Sequence, residues 1–235
     1  CQDFSSAGKR VEADRADLTE KFAEIVCALS PTTFVMENVE RAQSARAFRN
    51  AVTMLSRAGY GITEVVLDAS LCGVPQKRKR LFTIGMLGES DGFLAPILES
   101  RQSAKPMTLR EYFGDRLGIE HYYRHPRSYA RRGVFSVDEP SPTVRGVNRP
   151  IPPGYPGHPG DAASVRSGVR PLTTAERAQI QTFPEGFFFG RSKTAAEQMI
   201  GNAVPVELSA FVARALADYL RERSANHVAE AQKAS

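Results

Sequence analysis

The chain has 235 residues, 42% of them apolar and 24% charged, enough length to bury a sizeable core as one large domain, or one plus a small one. No apolar run approaches a membrane span, the three cysteines (Cys1, Cys27, Cys72) lack Cys-x-x-Cys spacing, and the four histidines complete no zinc pattern, so no membrane, disulfide framework or metal is expected. The net charge of +5 is regional: residues 101 to 149 hold ten Lys+Arg against five Asp+Glu, and the rest balances at 21 against 21.

In chain order, residues 15 to 29 place Phe22, Ile25, Val26 and Leu29 at helical spacing, and TTFVMENV follows as an apolar run of strand type. Ala45, Phe48, Val52 and Leu55 repeat the helical spacing before Gly59 supplies a stop, and GITEVVLDAS and RLFTIGML read as two more strands. This is α/β layering. From Gly88 the texture changes to short Arg-rich pieces and a proline cluster, NRPIPPGYPGHPG, the mark of an irregular small domain. Basic residues mixed with aromatics (Tyr112, Tyr122, Tyr123, Tyr129, Phe135) suit a polyanion, although a solvated basic surface has the same composition. Helical patterns return in LTTAERAQIQTF and across 205 to 222, and the tail after Arg223 is polar and expected to fray.

Four stretches carry the functional signal: CQDFSSAGK at the start, FVMENV at 34 to 39, GVPQKRKRLFTIG at 73 to 85, and RPLTTAERAQIQTFPEGF with QMIGNAVP near the C-terminus. In this order and spacing the chain resembles the DNA cytosine methyltransferases that modify carbon 5 of the base. The resemblance implies a partial Rossmann-like methyltransferase sheet in an α/β fold with a second, smaller irregular target-recognition domain. Its expected divisions are a catalytic part over 1–87, a target-recognition region over 88–170, helices returning to the catalytic part over 171–222, and a tail over 223–235.

Carbon 5 of cytosine is a poor nucleophile, so its methylation needs a covalent device in which a thiolate adds to carbon 6. Cys1-Gln2 matches the last two positions of the family's Pro-Cys-Gln loop, and Ser5 and Lys9 match its DNA-phosphate contacts. Glu37 in ENV matches the glutamate that serves ring nitrogen 3, and burial at a strand end would raise its pKa enough to hold a proton. Gln76, Arg78 and Arg80 match Gln-x-Arg-x-Arg: strand alternation places Arg78 and Arg80 on one face, where two guanidinium forks can hold phosphate and the base's exocyclic oxygen. Asn202, Ala203 and Val204 in GNAV resemble the element that closes the S-adenosylmethionine pocket, although Gly-Asn alone is a turn signal. Thr143 and Val144 in SPTVRG are candidate contacts near a flipped base, and Arg145 belongs with Arg124, Arg127, Arg131, Arg132 and Arg149 to the pool that would meet phosphate and guanine. Glu176, Gln181, Phe183 and Pro184 match a family segment that supports the recognition domain, with Gln179 standing where an arginine is usual.

The resemblance further implies double-stranded DNA as partner and a cytoplasmic, DNA-associated bacterial modification enzyme. Family members place the cofactor's strand and glycine-rich loop upstream of the nucleophile, and no Phe-x-Gly-x-Gly occurs in this sequence. The expectation is therefore a truncated chain or a split enzyme whose cofactor half is a complementary N-terminal polypeptide, inactive when isolated. Two other readings stand beside it: a catalytically silent DNA-binding module, and an amidohydrolase using Cys1 as an N-terminal nucleophile.

Overall fold

The computed structural model describes residues 17–166 and 168–233, so Cys1, Ser5 and Lys9 lie outside the described residues. The elements in order are α1 (Asp17–Leu29), β1 (Thr33–Asn38), α2 (Arg46–Arg57), β2 (Tyr60–Asp68), β3 (Gln76–Lys77), β4 (Lys79–Leu87) and α3 (Ala95–Ser100). There follow α4 (Leu109–Phe113), β5 (His121–Tyr123), β6 (Val134–Ser136), β7 (Ser141–Pro142), β8 (Arg170–Pro171), α5 (Thr174–Ile180), α6 (Lys193–Asn202) and α7 (Val206–Lys233). The described residues form two compact units, one drawn from 17–68, 79–102 and 212–233, the other from 69–78, 103–166 and 168–211.

The first unit is built on a sheet of order β1-β4-β2, in which β4 runs antiparallel to both neighbours. Residues 81–86 are buried throughout, as a central strand requires. Helices α1 and α2 pack on the sheet through Ala23, Val26, Ala51 and Leu55, which meet Phe34, Tyr60 and Ile62. The Phe34 ring sits edge-on to Phe22 and Tyr60, with centroids 5.8 and 5.2 Å away, and its burial stabilises the unit by about 2–3 kcal/mol. Helix α2 buries Ala47, Phe48, Ala51 and Leu55 and stops at Gly59, whose φ of +91° closes the C-terminus as a left-handed cap. In α1 the buried face is turned from the expected one: Thr19, Ala23 and Val26 point inward, while Ile25 and Leu29 are exposed.

The second unit has two small sheets, β6-β5-β8 and the parallel pair β3-β7. Its main core joins Leu109, Phe113, Leu117, Tyr122 and Phe135 to Leu172, Ala178, Ile180 and Ile200. Residues 171–211 therefore belong with the recognition region and do not return to the first unit, because α5 and α6 bring Ala178, Ile180 and Ile200 into that core. Residues 88–102 depart from expectation the other way. Gly92 N donates to Ile62 O at 2.9 Å and Leu94 N to Thr63 Oγ1 at 3.1 Å, which ties them to β2. The proline cluster is anchored by Asp161, which accepts from the backbone N–H of Gly133 (2.7 Å), Val134 (2.9 Å) and His158 (2.9 Å) and from the Tyr155 hydroxyl (2.9 Å). Helix α7 continues as a helix through the polar tail to Lys233.

The stretch 193–226 has the length and composition of a membrane span, but α6 and α7 are separate helices and Ile200, Leu208, Phe211, Val212 and Ala215 are buried within the protein.

Candidate active site

In the first unit, Glu37 is the penultimate residue of β1 and pairs in register with Phe82 on β4. Arg80 lies two residues before Phe82, hence on the same face and diagonal to Glu37. Its Nε stands 2.8 Å from Glu37 Oε1, with 14% of the arginine and 24% of the glutamate side chain exposed. Burial lowers the Arg80 pKa, and the attraction and hydrogen bond of Glu37 oppose that shift. The guanidinium thereby fixes the orientation of the Glu37 carboxyl at the end of the strand. Asn38 is buried and its Oδ1 accepts from Val39 N at 2.9 Å, which ends the strand.

Arg78 does not share the Arg80 face. It sits in the break between β3 and β4, so strand alternation does not link the two arginines, and it belongs to the second unit. There it is 2% exposed and donates to the carbonyls of Val144 (3.1 Å), Gly201 (3.0 Å) and Ala203 (2.9 Å). Gln76, expected to contact DNA, is also fully buried: its Oε1 accepts from Val144 N at 2.8 Å and its Nε2 donates to Gln181 Oε1 at 2.9 Å. Gln181 Nε2 in turn donates to the carbonyls of Ile200 and Ala203. Three buried side chains thus clamp the backbone at Val144 and at 200–203. Gly201 belongs to the same clamp, because a Cβ there would lie 2.1 Å from Gly146 N.

The clamp fixes two candidate contact segments. Thr143 is half-buried, with Oγ1 donating to Lys77 O at 2.8 Å, while the Val144 side chain is part of the core. The Asn202 side chain is exposed and makes no hydrogen bond among the described residues, beside Ala203, whose carbonyl accepts from Arg78. The open amide at the end of α6 and the adjoining Ala203 backbone are polar groups that a cofactor contact in GNAV would use. Among the described residues no group of His, Cys, Asp and Glu is placed to hold a metal.

Two site-supporting residues, Arg177 and Glu197, carried no sequence signal of their own. Arg177 and Glu197 form a buried ion pair between α5 and α6, with Glu197 accepting from Thr174 Oγ1 at 2.7 Å and Arg177 donating to Arg145 O. Only the helical offset of four between Arg177 and Gln181 hinted that both face inward. Glu176 is the N3 residue of a capping box with Thr173 and also pairs with Arg170 at 2.6 Å.

A solved structure of a putative DNA modification methyltransferase encoded within a prophage of E. coli superposes with TM-score 0.62 at 17% identity, covering 94% of this chain and 77% of that one. The fold is therefore that of a methyltransferase. Residues 1–218 match the model of the C-5 cytosine-specific DNA methylases. The chain is 55% identical over 224 residues to Type II methyltransferase M.HindV of Haemophilus influenzae, covering 94% of the chain and 74% of the relative. It is 56% identical over 223 residues to Type II methyltransferase M.HgiDI of Herpetosiphon aurantiacus, covering 94% and 72%. The chain belongs to the C-5 cytosine-specific DNA methylase family.

Proposed function

We propose that the protein transfers a methyl group from S-adenosylmethionine to carbon 5 of a flipped cytosine in a specific double-stranded DNA sequence, through a covalent adduct with Cys1, as the modification enzyme of a bacterial restriction–modification pair acting in the cytoplasm. The observation that carries this reading is the Glu37–Arg80 ion pair at 2.8 Å, mostly buried at the end of the β1–β4 ladder.

Cys1 supplies the thiolate that adds to carbon 6, which pushes electron density toward carbon 5 and ring nitrogen 3. Glu37 faces nitrogen 3 and shares a proton with it as that nitrogen gains basicity, while Arg80 orients the carboxylate and presents its remaining N–H groups to the exocyclic oxygen. Ser5 and Lys9 hold DNA phosphate, with Thr143 near the extruded nucleotide. Arg78 and Gln76 are positioning residues in this reading. Asn202 and the backbone through Val204 contact S-adenosylmethionine, which when bound supplies an electrophilic methyl group. Transfer of the carbon 5 proton to solvent water or hydroxide, with expulsion of the Cys1 thiolate, then restores the aromatic ring.

The test incubates the product of the complete reading frame containing this chain with duplex DNA and methyl-labelled S-adenosylmethionine, then digests the DNA to nucleosides. 5-Methyl-2′-deoxycytidine as the labelled product supports the reading. DNA binding with no methyl transfer supports the silent-module reading, and label on an exocyclic nitrogen removes the covalent mechanism.

A further inference from the structure

The arginines of the second unit fall into two groups. Four are paired with carboxylates: Arg110 with Asp138 and Glu120, Arg132 with Glu139, Arg170 with Glu176 and Arg177 with Glu197. Arg124 and Arg145 differ. They line one cleft together with Arg149 and Asn148, and each is braced on a backbone carbonyl of the facing segment. Arg124 Nη2 donates to Thr143 O at 2.8 Å, and Arg145 Nη2 donates to His125 O. The charges felt most by Arg124 are, in order, Arg145, Tyr122, which opposes the arginines, Arg127 and Arg177, the last itself paired with Glu197, and those felt by Arg145 are Arg127 and Arg149.

We propose that Arg124 and Arg145, beside Arg149, form a preorganised site for one backbone phosphate of the DNA substrate. The assignment rests on the methyltransferase reading above and names the DNA group that this part of the protein grips.

Bringing like charges together in a half-buried cleft opposes folding; the carbonyl braces offset part of that cost, and a formal negative charge offsets it most strongly. Burial followed by Arg145 draws Arg124 down to about 10, in keeping with that cost. A guanine edge offers acceptors with partial charge only, whereas a phosphate offers a full charge and oxygens that suit two guanidinium forks. Bracing on carbonyls removes rotamer freedom before the ligand arrives, so less entropy is lost on binding. The site also adjoins Thr143, whose carbonyl is the brace for Arg124, and so lies next to the segment assigned to the flipped nucleotide.

The test measures duplex binding against salt concentration for the full reading frame and for Arg124→Gln, Arg145→Gln and Arg145→Lys. The glutamine variants are expected to bind cognate and unrelated duplexes equally more weakly, by about ten- to a hundredfold, and to flatten the slope of log K against log salt by about 0.9. Arg145→Lys should keep most of the slope. If a glutamine variant fails to fold, wild-type protein is scanned against duplexes carrying one uncharged methylphosphonate at a time, and a loss confined to a single position supports the site. A loss confined to one base pair with an unchanged slope overturns the proposal in favour of base reading. Unchanged binding by folded glutamine variants, or no sensitive position in the scan, overturns it while leaving methyl transfer in place. Wild-type protein that neither binds DNA nor transfers methyl removes the functional reading and this site together.

Discussion

Arg80 and Glu37 meet across the β1–β4 ladder, Nε to Oε1 at 2.8 Å, in a diagonal set by the Glu37–Phe82 register. The antiparallel β4 is what brings the second arginine of QKRKR onto the end of the glutamate's strand. Glu37→Gln keeps the shape and removes the charge that shares a proton with the base, so methyl transfer should fall by about 10²–10⁴-fold. Single-turnover rates at saturating DNA check this, with DNA affinity measured separately and expected to stay near wild type.

Arg78 supports a different expectation from Arg80. Its guanidinium serves the carbonyls of Val144, Gly201 and Ala203, so Arg78→Ala leaves buried acceptors without donors and should cost about 3 kcal/mol or more of stability. Arg80→Ala should reduce the rate with a smaller change in melting. Thermal or urea unfolding of both variants beside their rates separates the two roles.

Gly201 tests the clamp from the backbone side. An added Cβ would lie 2.1 Å from Gly146 N and 2.3 Å from the Arg145 carbonyl carbon, contacts that no side-chain rotation relieves. Gly201→Ala is expected to destabilise the second unit by about 1–3 kcal/mol through forced backbone shifts, read as a lowered urea midpoint.

Part of this was legible in the sequence. Apolar spacing marks α2, β1, β2 and β4, and the family motifs single out Glu37 and Arg80. The face of α1 was not legible, because Phe22, Ile25, Val26 and Leu29 share helical spacing with Thr19, Ala23 and Val26, and only the packed sheet decides which stripe is covered. The pairing of Arg78 with Arg80 failed because a period of two holds within a strand, and the chain leaves one sheet and enters another between Lys77 and Lys79. The boundary at Gly88 followed a change of texture, but hydrogen bonds from Gly92 and Leu94 to β2 carry the first unit on to residue 102. Buried polar residues such as Gln76 and Arg177 read as surface in composition, since nothing local announces their partners.

Asp161 gives the protein an acid-sensitive point outside the catalytic residues. Burial pushes its carboxyl upward, but hydrogen bonds from the Val134 and Gly133 N–H groups, Tyr155 and His158 outweigh this and hold the pKa below the ordinary aspartate value. With the folded pKa depressed, the stabilisation is present above the unfolded value of about 3.9 and is lost as pH falls through the folded pKa. Asp161→Asn should melt earlier than wild type at neutral pH, by about 1–2 kcal/mol, and the two curves should converge below about pH 4. Thermal melts across pH 3 to 7 check both halves.

The covalent mechanism with Cys1 as nucleophile is tested most directly by trapping. Duplex DNA carrying 5-fluorocytosine in the target position is mixed with the full reading frame and S-adenosylmethionine, and the product is digested for peptide mass spectrometry. Because fluorine cannot leave carbon 5 as a proton does, the account predicts a stable protein–DNA adduct on the peptide containing Cys1, absent in Cys1→Ser and strongly reduced in Glu37→Gln. An adduct on Cys27 or Cys72, or methyl transfer to normal DNA by Cys1→Ser at the wild-type rate, would contradict it.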